Sequence, residues 1–179
     1  MTVRVRRLLP ALALLVAACT AASAGAPSLA IEVRAAFLKT FPDFVTWPAA
    51  ALAADAPLQL CVLDEDPVGD SLERMTGGKT IAGHPVRVRR VRAAEDVAGC
   101  HVVYVGTGSS RLARTVIGAL HDRPVLTVAE DNHMPAVDTM IEFHLEDQKL
   151  RFDVELAPAG RAGLKFDSKL LGIAREVRR

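Results

Sequence analysis

The sequence predicts an α/β domain of three layers, a mostly parallel sheet flanked by helices and extended by a C-terminal antiparallel β-hairpin. Three observations predict it. Between residues 58 and 128, short aliphatic runs alternate with segments of helical spacing, the mark of strand–helix–strand units and parallel pairing. After residue 140 the apolar positions alternate strictly around a polar turn, as in a hairpin with one buried face. The 179 residues, 50% hydrophobic and 24% charged, suit one globular domain and exclude a disordered chain.

The first segment is leader rather than fold. Arg4, Arg6 and Arg7 precede an apolar run over residues 8–18 and small residues through Ala24, the layout of a secretory signal peptide. The run spans only about half a bilayer core as a helix. Ala22-Ser23-Ala24 offers a signal-peptidase site, which makes residues 1–24 the leader and residues 25–179 the domain. Val16-Ala17-Ala18-Cys19 also reads as a lipobox, in which Cys19 is acylated and the leader ends at residue 18. Either way the chain is exported. Cleavage after Ala24 removes three of the 22 Lys and Arg and none of the 21 acids, moving the net charge from +1 to −2.

The elements follow in order. Ser28 caps a helix whose stripe is Ile31, Phe37, Leu38, Phe41, Phe44 and Val45, with a kink or restart at Pro42. Residues 58–63 form a strand covered on both faces. Asp66 and Pro67 open a helix that buries Val68, Leu72 and Met75 and ends at Gly77-Gly78. Strands at 85–91 and 101–105 precede a helix capped by Ser109 or Ser110, burying Leu112, Val116, Ile117 and Leu120; a short fourth strand covers 124–128. The hairpin sets Ile141, Phe143 and Leu145 opposite Leu150, Phe152, Val154 and Leu156, joined by Asp147-Gln148. A last helix, opened by Asp167 or Ser168, buries Leu170, Leu171, Ile173 and Val177.

Either cleavage takes Cys19 out of the thiol pool and leaves Cys61 and Cys100 as an even pair in an oxidising compartment, so a disulfide is expected. A doubly wound sheet of order 2-1-3-4 makes the strands carrying them neighbours.

Composition excludes a nucleic-acid binder: the charge is near neutral and Trp47, Tyr104 and six Phe are all the aromatics. No nucleophile with a base, no carboxylate pair and no metal-ligand spacing stands out, so no catalytic residue, metal or cofactor is expected. Asp64-Glu65-Asp66, at the carboxyl edge of the first strand, reads as a helix cap with solvated neighbours. Residues 106–110 read as a capped turn, because Arg111 stands where a dinucleotide fingerprint needs glycine. Asp131, Asn132 and His133 read as a turn, and His144 as a solvated position on the polar side of the hairpin. Arg87, Arg89, Arg90 and Arg92 protect an edge strand from unwanted pairing. Trp47 is expected to close the core. In the segment 129–140, Met134, Pro135, Val137 and Met140 supply adaptable apolar side chains for contact with a protein partner.

Several segments together resemble the YfiR family of periplasmic regulators. They are Arg34-Ala35-Ala36-Phe37-Leu38 with Phe44-Val45-Thr46-Trp47-Pro48, then Leu60-Cys61-Val62-Leu63 with Asp66-Pro67-Val68-Gly69. Gly83-His84-Pro85 and Cys100-His101-Val102-Val103-Tyr104-Val105 follow, and then Arg161-Ala162-Gly163-Leu164-Lys165 with Ser168-Lys169-Leu170-Leu171. The chain departs from the family pattern at Glu155, where relatives usually carry Asn, and at Val137-Asp138, where they commonly carry a Gly pair. The resemblance implies a non-enzymatic periplasmic protein that represses a membrane-bound diguanylate cyclase through its periplasmic region and so lowers cyclic-di-GMP. An outer-membrane lipoprotein that sequesters the repressor, and a homodimer, are partners to expect. The competing expectation is a periplasmic small-ligand sensor feeding a neighbouring kinase or transporter, using the crevice at the carboxyl ends of the strands.

Overall fold

The computed structural model describes residues 28–108, 110–131 and 139–179. The leader with Cys19, the candidate cap Ser109, Asn132 and His133 of the expected turn, and Met134, Pro135 and Val137 lie outside the described residues.

Helix α1 (Leu29–Thr40) opens where the Ser28 hydroxyl accepts from the Ile31 N–H. Pro42 cannot donate a helical bond, and the expected restart is one 3-10 turn, Phe41–Phe44, before β1 (Val45–Thr46). Strand β2 (Leu58–Leu63) leads to α2 (Val68–Thr76), whose first N–H is accepted by the Asp66 carboxyl at 2.9 Å. β3 (Thr80–Ile81) turns back through Ala82 and Gly83, both at positive φ, into β4 (His84–Val91). Then come β5 (Val102–Val105), α3 (Ser110–Ala119) and β6 (Leu126–Glu130). β7 (Ile141–Glu146) and β8 (Lys149–Glu155) form the hairpin, and Asp147 and Gln148 at φ 47° and 59° give the two-residue turn that matches strand twist. The chain ends with α4 (Leu156–Arg161), β9 (Lys165–Phe166), α5 (Ser168–Ile173) and β10 (Glu176–Arg178).

The eight-stranded sheet has the order β10-β8-β7-β6-β5-β2-β4-β3, and β1 and β9 make a separate antiparallel pair. Its centre, β4-β2-β5-β6, is parallel and is the expected 2-1-3-4 order. Side chains alternate between two cores, as strand geometry requires. Leu58, Leu60, Val62, Val102, Tyr104 and Val128 face α1 and α2, whereas Cys61, Leu63, Val103, Val105 and Ala129 face α3. Phe41 packs with Phe37, Phe143 and Phe152 at ring separations of 5.2 to 5.8 Å, fastening α1 to the hairpin.

Three expectations fail in the hairpin and beyond it. The last helix stops at Ile173, which is 63% exposed, and Val177 lies on the edge strand β10 rather than on a buried helical stripe. Arg175 and Arg178 reach the buried Asp153 on β8, which fixes the chain in register with that strand. Leu156 starts α4 instead of ending the hairpin, because Pro158 fits a first helical turn and not a paired strand. Leu145 is exposed as well, since the hairpin tip runs beyond the layer of helices that covers Ile141 and Phe143.

Candidate functional site

The carboxyl ends of β2 and β5 lie side by side, and the turns that leave them face each other. Leu63 to Pro67 and Gly106 to Gly108 line a crevice of about 300 Å³, the place where open α/β sheets receive ligands. The two segments read from sequence as a cap and a capped turn are therefore one surface. Gly106 leaves room for the Asp66 carboxyl, since a Cβ there would stand 1.9 Å from its Oδ2 atom and displace it. Asp64 turns the chain at φ 60°. Arg90 donates to the Asp66 carbonyl at 2.5 Å and pairs with Asp70, and Arg92 pairs with Glu65. These two arginines brace the crevice from a stretch of β4 that β3 pairs only at His84 and Pro85.

A second crevice of about 190 Å³ shares Asp66, Pro67 and Thr107 with the first and runs under α1. Its floor is an ion pair: the Arg34 guanidinium grips Glu130 with Nε to Oε1 at 2.7 Å and Nη2 to Oε2 at 2.8 Å. The Tyr104 hydroxyl donates to Glu130 Oε1 at 2.8 Å. Burial, and then the Glu130 charge, push the Tyr104 hydroxyl well above its usual range, so it stays a donor. Burial also raises the Asp66 carboxyl, opposed by the Val68 N–H and reinforced by Glu130. The arrangement holds fixed charges at the floor of a small cleft, and its polar groups already satisfy one another. Sequence reasoning missed this triad. The signal was present in Glu130, the one ionisable side chain in a strand otherwise buried along its length.

The histidines divide into pins and one cluster. His101 accepts from the Gln59 N–H through Nδ1 and faces the Ala51 carbonyl through Nε2, at 3.0 and 3.1 Å, which requires the neutral ring. His144 departs from its expected solvated position: its side chain is 14% exposed, and it stands between Asp131, Glu142 and Asp153. The hairpin pairs Glu142 with Asp153, so one face of β7 and β8 gathers these groups.

Cys61 and Cys100 are joined, with Cα atoms 5.9 Å apart. Arg89 lies over them: its Nη2 donates to the Asp96 and Ala98 carbonyls and sits 3.3 Å from Cys100 Sγ. Trp47 is half-buried against the larger core, with its indole N–H unpaired. Of the side chains expected to meet a partner, Met140 is 2% exposed and belongs to the core, which removes it from any contact surface of this structure. Among the described residues, no helix is long and apolar enough to cross a membrane.

A protein-family model described as YfiR/HmsC-like matches residues 31–175, which spans every element from α1 to the end of α5. A search of curated proteins gives no match.

Proposed function

The chain belongs to the YfiR/HmsC-like family, and we propose that it is a periplasmic regulator of cyclic-di-GMP signalling that represses a membrane diguanylate cyclase by binding its periplasmic region. The observation that carries this reading is the family match over residues 31–175. The disulfide supports it, because an oxidising compartment is where such a bond persists. Repression works by differential affinity: binding the inactive cyclase more tightly than the active one shifts the population towards inactivity, and the protein needs no chemistry of its own. The leader at residues 1–24 exports the chain, and acylation at Cys19 is the variant that tethers it. Met134, Pro135 and Val137 supply the adaptable contact with the cyclase, and an outer-membrane lipoprotein and a second copy of the chain are further partners.

Deleting the gene should raise cyclic-di-GMP, and complementation should restore the lower level. An unchanged level across growth conditions, with no cyclase recovered after crosslinking in the periplasm, sinks the proposal. The adjoining crevices at Asp66 favour a second reading, a small-ligand sensor feeding a kinase or transporter. A metabolite that raises the melting temperature without any protein partner favours the sensor.

A further inference from the structure

We infer that the cleft at the amino ends of β5 and β6 binds a small organic acid, a monocarboxylate with a compact apolar body, through the guanidinium of Arg123. The cleft has a volume of about 360 Å³ and lies at the opposite end of the strands from the crevices at Asp66. That size is at the lower end of the roughly 300 to 1,000 Å³ that ligand pockets span, so it suits a compact molecule. Neither a cyclase nor the residues around Asp66 take part in this site.

The fold builds the walls before any ligand arrives. Val97, which ends the 3-10 turn Ala94–Val97, forms an apolar floor with Cys100, Leu120 and Val125, each between 2% and 7% exposed. The Cys61–Cys100 bond fixes that floor to β2. Ala51 and Pro124, both half-buried, complete the apolar lining. Ala51 is 50 residues away from His101 in sequence, and the imidazole ties it into place: Nδ1 accepts from the Gln59 N–H at 3.0 Å and Nε2 donates to the Ala51 carbonyl at 3.1 Å. Both ring nitrogens are engaged and burial lowers the proton affinity of the ring, so His101 is a neutral piece of wall. A site already shaped in this way loses little ordering entropy when it binds.

Arg123 then carries the only charge of the lining, and no carboxylate is among the described residues that line the cleft. Its backbone is set by the turn that closes α3: Asp122 lies at φ 55°, and the Arg123 N–H donates to the Leu120 carbonyl at 3.0 Å. The guanidinium itself makes no hydrogen bond or ion pair with any described residue, because the neighbouring Asp122 carboxylate is taken by Arg161 at 3.0 Å. A planar guanidinium offers two parallel N–H donors that match a carboxylate. The apolar floor beside it rewards burial of a hydrocarbon part. A cation would meet an unpaired like charge, a neutral molecule would leave the guanidinium unanswered, and an inorganic anion would cover none of the floor. An acid with an apolar body satisfies both surfaces at once.

The test titrates the purified protein with hexanoate by calorimetry and thermal melting, beside acetate, hexanol, hexylamine and inorganic phosphate. Hexanoate should bind saturably, one per chain, and raise the melting temperature with concentration. Acetate, phosphate and hexanol should bind at least roughly 10-fold more weakly, and hexylamine should show no binding. Arg123→Gln should weaken hexanoate roughly 10- to 100-fold, the usual worth of hydrogen bonds to a charged group, and leave hexanol unchanged. Ala51→Phe narrows the cleft while keeping the carbonyl that His101 needs, and should weaken hexanoate and hexanol together. If Arg123→Gln misfolds by circular dichroism, Arg123→Lys decides, because it keeps the charge, loses the fork and should still bind hexanoate several-fold more weakly. No saturable binding of hexanoate in the millimolar range overturns the inference. So does an affinity that the Arg123 substitutions leave unchanged, or one that acetate or phosphate equals, since carboxylate and apolar body would then not be read together at this cleft.

Discussion

Breaking the Cys61–Cys100 bond is expected to cost about 3.9 kcal/mol. The two residues are 39 apart in sequence, and the chain-entropy relation for a loop of that length gives about 13 cal/mol/K, or 3.9 kcal/mol at 25 °C. For a domain of this size each kcal/mol moves the melting temperature by about 2 to 4 °C, so the reduced protein should melt roughly 8 to 16 °C lower. Both cysteines are buried between β2, β5 and α3, so a reductant reaches them only when the protein opens. The assay therefore reduces the protein in denaturant, refolds it with reductant present, and compares calorimetric melts with those of the oxidised form. Reduced wild type keeps both sulfur atoms in place and so isolates the crosslink, whereas Cys61→Ala/Cys100→Ala adds a packing loss. Coincident melts of oxidised and reduced wild type would refute the reasoning, because they would mean that the unfolded chain gains no freedom when the link is cut.

Glu130→Gln should destabilise by about 3 kcal/mol, the lower end for a broken buried ion pair, since Arg34 keeps some access to water. Arg34→Met/Glu130→Gln should cost less than the sum of the two single changes in denaturant melts, and strict additivity would show that the pair does not interact. His101 is held neutral, mainly by burial, so its proton affinity in the fold lies below the unfolded value of 6.5. The unfolded state then binds more protons just below that pH, and stability is full above about 6.5 and falls as the medium is acidified; a His101→Gln variant should show a flatter pH profile of melting temperature. Gly106→Ala drives a methyl group into the Asp66 carboxyl and should cost roughly 1 to 3 kcal/mol by overpacking, with Asp66→Gly/Gly106→Ala recovering part of the loss.

The parallel centre of the sheet was legible because a strand covered on both faces announces itself as an unbroken aliphatic run. Residues 102–105 form such a run and 58–63 is interrupted only by the half-buried Gln59, and strand–helix alternation points to their parallel pairing. The cysteine pair followed from compartment and count, and neighbouring strands then brought it together. The short strands β1, β3, β9 and β10 were not legible: two or three residues carry no periodicity, and partners far away in sequence decide their conformation. The same limit hid the charged groups. Arg34 and Glu130 are 96 residues apart, and Asp153 becomes a buried anion only because Arg175 and Arg178 arrive beside it. His144 looked solvated from the alternation of its own strand, which places it away from the core but says nothing of Asp131 approaching from the turn after β6.

The two ends of the sheet are consequently held by different physics. At β2 and β5, aliphatic side chains fill both faces and a covalent link crosses between the strands, interactions that salt does not screen. At β10 the side chains of Glu176 and Val177 are exposed, and beyond the short backbone ladder to β8 the strand is held by Arg175 and Arg178 with the buried Asp153. Pairs that keep partial contact with water contribute less and weaken with ionic strength. Local opening is drawn from such weakly buried edges, so the C-terminal edge and the hairpin face beside it yield before the crosslinked centre does. The cluster of His144, Glu142 and Asp153 joins that edge to the hairpin face, because Asp153 belongs both to the hairpin face and to the arginines that tie down the chain end.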